Sequence, residues 1–208
     1  MRINMNLLEK ITLYDLLGYT LPGCVMLYVL KIPKKLVEGN GTQINTIYYI
    51  AIGFLAGIIL SELSNLLTAL YKGRPQTKKR IEDKLEISPS KVKKALNKAG
   101  LLTKNETAAD KELLWRYFTN MFSDIQIDNK YSRIHNYASA ELLYKNIALV
   151  CIICAAAFWH RNLCIEMWLS LTASAIFFRR WQRFYEKKVL YTVYWYVHKY
   201  ISSCPPQP

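Results

Sequence analysis

The side chains that could do chemistry in this sequence are few, and the first of them is a carboxylate in an apolar run. Glu62 is the single ionisable residue between 44 and 71, and Asn65 follows it within a turn. Asp15 lies near the start of another apolar run. An ionisable group inside a membrane is costly, and it commonly serves an ion pathway or pairs with another helix. We expect Glu62, Asn65 and Asp15 to be intramembrane polar groups, with Glu62 acting in a pore or in helix packing.

Basic side chains form the second group. The net charge is +13, and the excess is concentrated in 72–145 and 179–208. Basic residues beside apolar segments are typical of the cytoplasmic side of a membrane protein, although they can also attract nucleic acid or a phosphorylated ligand. We favour the membrane over direct nucleic-acid binding, and a solvated helix surface is the alternative for the lysine-rich helix. The surface expected to receive a partner consists of Lys78, Lys79, Arg80, Lys91, Lys93 and Lys94.

Patterns for catalysis and metal binding are absent from the sequence. It contains no P-loop, GxSxG, HExxH or dinucleotide fingerprint. The histidines, His135, His160 and His198, have no partners at ligand spacing. Cys151 and Cys154 have CxxC spacing inside an apolar run without acidic or histidine neighbours, which favours packing. We therefore expect neither an enzyme nor a bound cofactor or metal.

Four apolar segments must position the polar groups, and we expect each of them to cross a bilayer. A helix over 44–71 exceeds the ~30 Å hydrocarbon thickness, and the basic sequence KGRPQTKKR follows it at once. The other three segments are 13–30, the apolar end of 131–159, and 163–178. The last two form a hairpin at the short limit of a span, so a re-entrant hairpin is the alternative for them.

Small residues and one proline indicate how the first two segments pack. Gly53 and Gly57 are four residues apart and share one helix face, which lets another helix approach closely. We expect the spans to assemble through this face. In the first segment, Pro22 has no amide hydrogen and frees the carbonyl of Gly18, which creates a polar backbone spot at membrane depth.

A basic helical module is expected between the second and third segments. One helix begins at Ser88, with Ser88 as its cap, and ends at Gly100. A second amphipathic helix is expected over 106–122. After the last segment, an amphipathic, basic and aromatic helix is expected to lie against lipid headgroups, or alternatively to dock on the soluble module. The residues expected at this membrane interface are Arg179, Arg180, Trp181 and Arg183.

The sequence thus predicts an all-α fold, a transmembrane four-helix bundle of two hairpins with a helical cytoplasmic module and a C-terminal interfacial helix. The expected divisions are an N-terminal hairpin over 1–71, the basic module over 72–130, the long helix and second hairpin over 131–178, and the juxtamembrane helix and tail over 179–208. The basic flanks place both termini and the module in the cytoplasm.

Four stretches resemble small bacterial multi-span membrane proteins of anti-phage defence loci. They are YDLLGYTLPG at 14–23, ELSNLL at 62–67, YSRIHNYASAELLYKNIAL at 131–149 and FFRRWQRFYEKKVLY at 177–191. Such proteins include the membrane subunit of the Kiwa system and transmembrane effectors of nucleotide-signalling and CRISPR-linked systems. The resemblance implies an inner-membrane homo-oligomer that senses infection or perturbs the bilayer when a cytosolic protein or nucleotide second messenger signals. A constitutive ion channel or transporter and a membrane scaffold for a soluble partner are the alternatives.

Overall fold

The computed structural model describes residues 13–30, 42–72, 74–102, 110–128, 131 and 133–201. These residues form helices, and no strand occurs among them. The all-α class is therefore confirmed. The helices are α1 (Leu13–Val29), α2 (Thr42–Lys72), α3 (Pro75–Lys84), α4 (Pro89–Lys98), α5 (Asp110–Arg116), α6 (Phe118–Ile127), α7 (Arg133–His160) and α8 (Cys164–Ile201).

The chain divides into two compact units. Unit 1 comprises Met1–Gly73 and Ala138–Phe184, which hold α1, α2, most of α7 and the first part of α8. Unit 2 comprises Arg74–Tyr137 and Tyr185–Pro208, which hold α3 to α6 with the start of α7 and the end of α8. The helix α8 is continuous, so no helix boundary separates the predicted last span from the predicted interfacial helix.

In unit 1, α1 and α2 approach until their backbones touch. A Cβ atom built on Gly23 would lie 1.8 Å from the carbonyl oxygen of Gly53, and one on Gly57 would lie 1.9 Å from that of Tyr19. Only glycine fits such contacts. The close helix approach predicted at Gly53 and Gly57 is therefore confirmed, and the approaching helix is α1 of the same chain.

The core of unit 1 lies where α2 meets α7. It is formed by Leu60, Leu149, Val150 and Cys154, all of them buried. The burial of Cys154 confirms its predicted packing role. A turn with Asn162 in the left-handed region (φ 58°) then reverses the chain, as the sequence predicted near 160–162.

Unit 2 is built from short amphipathic helices around buried aliphatic side chains. The helix α4 begins at Pro89 and is followed by Gly100 at φ 71°, which confirms both predicted ends. The Ser88 hydroxyl does not cap the helix but lies 2.8 Å from the Ser90 hydroxyl. The single helix predicted over 106–122 is wrong, because within the described residues Tyr117 (φ −98°, ψ 7°) separates α5 from α6.

Two helices in the described part of the chain are long and apolar enough to cross a membrane, over Tyr48–Lys72 and Arg133–His160. The apolar part of α1, Gly18–Val29, is shorter. In α8, Arg179 follows after fifteen residues. The four predicted spans are therefore found only in part.

Candidate functional site

A line of polar side chains runs through the interior of unit 1, where α2 and α7 face each other. Serine and threonine residues of α2 recur every three or four residues, so they share one helix face. The facing side chains of α7 include a carboxylate, an ammonium group and an amide. We call this set the polar seam; its members are the buried Ser61, Ser64, Thr68, Glu141, Lys145 and Asn146, with the exposed Asn65 at its edge.

Asn146 is the centre of the polar seam and is fully buried. Its Nδ2 donates to the carbonyl oxygen of Gly18 at 3.0 Å. This is the carbonyl that Pro22, four residues later, leaves without its helical donor. The Ser64 hydroxyl lies 2.8 Å from Asn146 Oδ1 and 2.8 Å from the carbonyl oxygen of Ser61, and its single proton serves one of them at a time. Asn146 therefore joins α1, α2 and α7.

The charged members of the polar seam are paired as well. Lys145 is buried, and its ammonium group donates to the side-chain oxygen of Asn65. One turn earlier in α7, the buried Glu141 forms an ion pair with Lys72 at 2.9 Å. Because each of these groups is bonded within unit 1, we interpret them as polar contacts that hold α2 and α7 together. Asn65 is thus bonded to Lys145 of α7, while its intramembrane place stays a prediction.

Glu62 lies on the side of α2 opposite to Ser64, and its side chain, like that of Asn65 three residues later, is exposed. Its neighbours on that face are Leu55, Ile59 and Leu66, which are 60%, 62% and 70% exposed. Within the described residues Glu62 has no hydrogen bond or ion pair. Asp15 belongs to α1, but its side chain lies outside the described residues, so its intramembrane role stays a prediction.

In unit 2, the helix α3 directs part of its basic side chains inward. Glu186 is buried, accepts from Lys84 at 2.7 Å and forms an ion pair with Arg80. Lys78 lies 5.6 Å from the centre of the Trp115 ring. Arg80 and Lys78 therefore hold unit 2 together, which the sequence could not show because Glu186 is more than a hundred residues away.

The remaining predicted partner-binding residues differ in exposure. Lys79, Lys91 and Lys94 are exposed, whereas Lys93 is half-buried. The positive charges of Lys79, Lys91 and Lys94 can be screened by salt or by an anionic partner. We call Lys79, Lys91 and Lys94 the exposed lysines; a partner could reach them, and it could also reach the exposed part of Arg80.

The residues predicted at the membrane interface also separate. Arg179 and Arg183 are exposed, and Arg180 donates to the Tyr144 hydroxyl at 3.3 Å. Trp181 is fully buried, so its predicted place among lipid headgroups is wrong. Its large ring instead packs on Tyr71, with 5.2 Å between the ring centres.

A second polar cluster in unit 2 surrounds Asp124, which the sequence analysis did not single out. Asp124 accepts from Lys199 at 2.9 Å and from the Tyr200 hydroxyl at 3.1 Å. Burial raises the pKa of Tyr200, and the charge of Asp124 raises it further. Tyr196 is fully buried and its hydroxyl has no hydrogen-bond partner among the described residues. Burial raises the pKa of Tyr196 strongly, with smaller contributions from Tyr200 and Asp124.

No family model, curated protein or solved structure matches this chain. Among the residues that the structure describes, no group of three or more His, Cys, Asp or Glu side chains could hold a metal ion.

Proposed function

We propose that this chain is a multi-pass bacterial inner-membrane protein that senses or executes an anti-phage response. Unit 1 lies in the bilayer, where α1 and the first part of α8 are shorter spans beside α2 and α7. Unit 2 lies in the cytoplasm and receives a signal from a partner.

The observation that carries the membrane placement is the distribution of exposed apolar side chains. In the described part of the chain, every exposed large hydrophobic side chain except Ile127 and Tyr194 belongs to unit 1. Burying one such side chain is worth about 1.5–3 kcal/mol, so leaving this set in water would be very costly. A hydrocarbon environment removes that cost. In such an environment, polar side chains are expected between the helices, as those of the polar seam are.

A soluble protein with two core helices is the second candidate, and the burial of those helices argues against it. In each of the two long apolar helices, only 33% of the most apolar window is buried. A core helix would be mostly covered by its own chain. We infer that lipid, alone or together with other copies of the chain, covers the rest of the apolar surface of α2 and α7.

The signalling role rests on unit 2 and on the sequence resemblance. The exposed lysines give α3 and α4 a positive surface that would attract an acidic protein or a nucleotide. The defence context comes from the resemblance alone. A constitutive channel requires polar groups along an open pathway, while the groups of the polar seam are bonded to one another. This pairing favours a sensor, effector or scaffold over a channel.

Two assays on the native host test the proposal separately. Alkaline carbonate washing of membranes should leave the chain in the pellet, and deletion of the gene should reduce survival after phage challenge. Release of the chain by carbonate would contradict the membrane placement. Retention in the membrane with unchanged survival against a broad phage panel would contradict the defence role only.

A further inference from the structure

We infer that Glu62 of one copy forms an ion pair with Arg179 of a neighbouring copy, and that this contact joins the chains into an oligomer. The inference rests on the proposed placement of unit 1 in the bilayer. The interaction surface is the outward face of α2 against the outward face of α8, and the partner is a second copy of this chain.

Glu62 lies in the centre of the apolar face that α2 turns away from its own unit. The same face carries Leu55 and Ile58, which are seven and four residues before Glu62, and Leu66, which is four residues after it. All three are exposed. The opposite face of α2 is closed, because α1 covers Gly53 and Gly57. Among the described residues, the side of α2 left open to another copy is the one that carries Glu62.

The contacts of α2 with α7 give the depth of Glu62. Ser64 is bonded to Asn146, and Glu62 precedes Ser64 by two residues. The two helices run antiparallel, since Leu60 packs with residues beyond Asn146. Glu62 is therefore at the same height along the helix axes as Ala148 of α7. It stands ten residues, or about 15 Å, before Lys72, which is well inside an apolar segment. A carboxylate at such a depth requires a cation or a strong donor.

The matching cation is found on α8. The Ser174 hydroxyl donates to the carbonyl of Ala148 at 2.9 Å, so Ser174 is level with Glu62. Arg179 lies five residues, or about 7.5 Å, further along α8. Helical side chains lean toward the N-terminus, so the long Arg179 side chain leans toward the level of Glu62. Its side chain is exposed and has no ion pair within the described residues.

Charge complementarity selects a second copy over lipid. The exposed face of α8 before Arg179 is apolar, with Ile165, Leu169 and Ile176 exposed, and it would pack on the leucines beside Glu62. Phosphate headgroups are anionic and would repel Glu62. One chain offers the acid and the base on different outward helices, so a head-to-tail contact repeated around a ring satisfies every copy.

Cross-linking in native membranes tests this contact. Two chains with all native cysteines replaced are co-expressed with different tags, one carrying Glu62→Cys and the other Arg179→Cys. A short bis-maleimide should yield a dimer that carries both tags. The control replaces Arg179→Cys by Glu166→Cys, which is exposed on the same helix but thirteen residues, or about 20 Å, away. The control pair should give at least tenfold less mixed dimer.

Charge reversal supplies the second readout. Glu62→Arg should shift the purified complex to a lower mass in mass photometry, and Glu62→Arg with Arg179→Glu should restore the mass of the original chain. Efficient cross-linking by neither pair, or an unchanged mass for Glu62→Arg in protein retained after carbonate washing, overturns this inference alone. Release of the original chain by carbonate overturns the inference and the proposed function together.

Discussion

In unit 1, Asn146 is fully buried while Leu66 is 70% exposed, whereas in unit 2 Leu96 is fully buried and Lys91 is exposed. Unit 2 follows the rule for a protein in water, in which apolar burial provides most of the folding free energy. Unit 1 departs from it, since its exposed surface is rich in leucine and isoleucine and its interior contains the polar seam beside the apolar core. The difference is the one expected if unit 1 lies in a bilayer and unit 2 in water, as we propose.

The two units also use their buried polar side chains differently. In unit 1, Asn146 bonds to a backbone carbonyl that a proline has freed, so the amide replaces a missing helical bond. In unit 2, Glu186 is buried at the side of two basic residues that remain about half exposed, with side-chain exposures of 48% and 51%. We therefore expect substitutions in the polar seam to cost more than those at Glu186.

The largest effect on stability is expected for Asn146→Leu. This change leaves the Gly18 carbonyl without a donor, and an unsatisfied buried group costs about 1–3 kcal/mol. The thermal unfolding midpoint of the detergent-purified chain should fall clearly below that of the original protein. Asn97→Leu, at an exposed position of α4, is the matched control and should change little. Equal midpoints for both variants would show that the polar seam contributes nothing.

A smaller loss is expected for Glu186→Ala. Removing the buried carboxylate leaves Arg80 and Lys84 facing each other, but both reach water, so about 1–2 kcal/mol is expected. Amide hydrogen exchange should become faster in α3 while α2 keeps its protection. Glu86→Ala removes an exposed carboxylate of the same unit as the control. Exchange in α3 that is no faster for Glu186→Ala than for Glu86→Ala would show that the buried ion pairs contribute nothing.

Tyr196→Phe should stabilise unit 2 by roughly 1 kcal/mol, because it removes a buried hydroxyl that lacks a described partner. Burial raises the pKa of Tyr196 in the folded state above its value of ~10 in the unfolded chain. The folded state therefore resists ionisation of this hydroxyl, and the free energy of unfolding falls as the pH rises above ~10 toward the folded pKa. Unfolding midpoints at pH 8 and 10.5 should therefore differ less for Tyr196→Phe than for the original chain. Tyr194→Phe, at an exposed position, should keep the original difference.

The smallest change in stability is expected when the exposed lysines are replaced together by alanine. Surface substitutions usually alter the unfolding free energy by no more than about 0.5 kcal/mol. The same triple variant should elute from heparin at lower salt and should recover less partner in a pull-down from the native host. Unchanged partner recovery and phage protection would show that the exposed lysines are not the receiving surface.

Local sequence patterns were sufficient for much of the fold. The long helices over 44–71 and 131–159, the turn near 160–162 and the end of α4 at Gly100 all follow from composition and spacing within a few residues. The polar spot at Gly18 was predictable because Pro22 acts four residues back. Its partner Asn146 was not, because it is 128 residues away and only tertiary packing brings it there.

The site was less accessible from sequence for the same reason. Glu62 and Ser64 look like one polar patch in the sequence, yet two residues turn a helix by about 200°, so they face opposite sides. That signal was present and could have separated Glu62 from the polar seam. The burial of Trp181 depended on Tyr71 and could not be read from its basic neighbours.

The most direct measurement of the central claim is thiol labelling at Leu66 and Lys91, two positions that are both exposed in the structure. Single cysteines are placed there in a cysteine-free chain, and inside-out native vesicles are treated with a membrane-impermeant maleimide. We expect rapid labelling of Lys91→Cys and little labelling of Leu66→Cys until detergent dissolves the membrane and denatures the protein. Equal labelling of both positions in intact vesicles would contradict it, because the leucine face of α2 would then be in water.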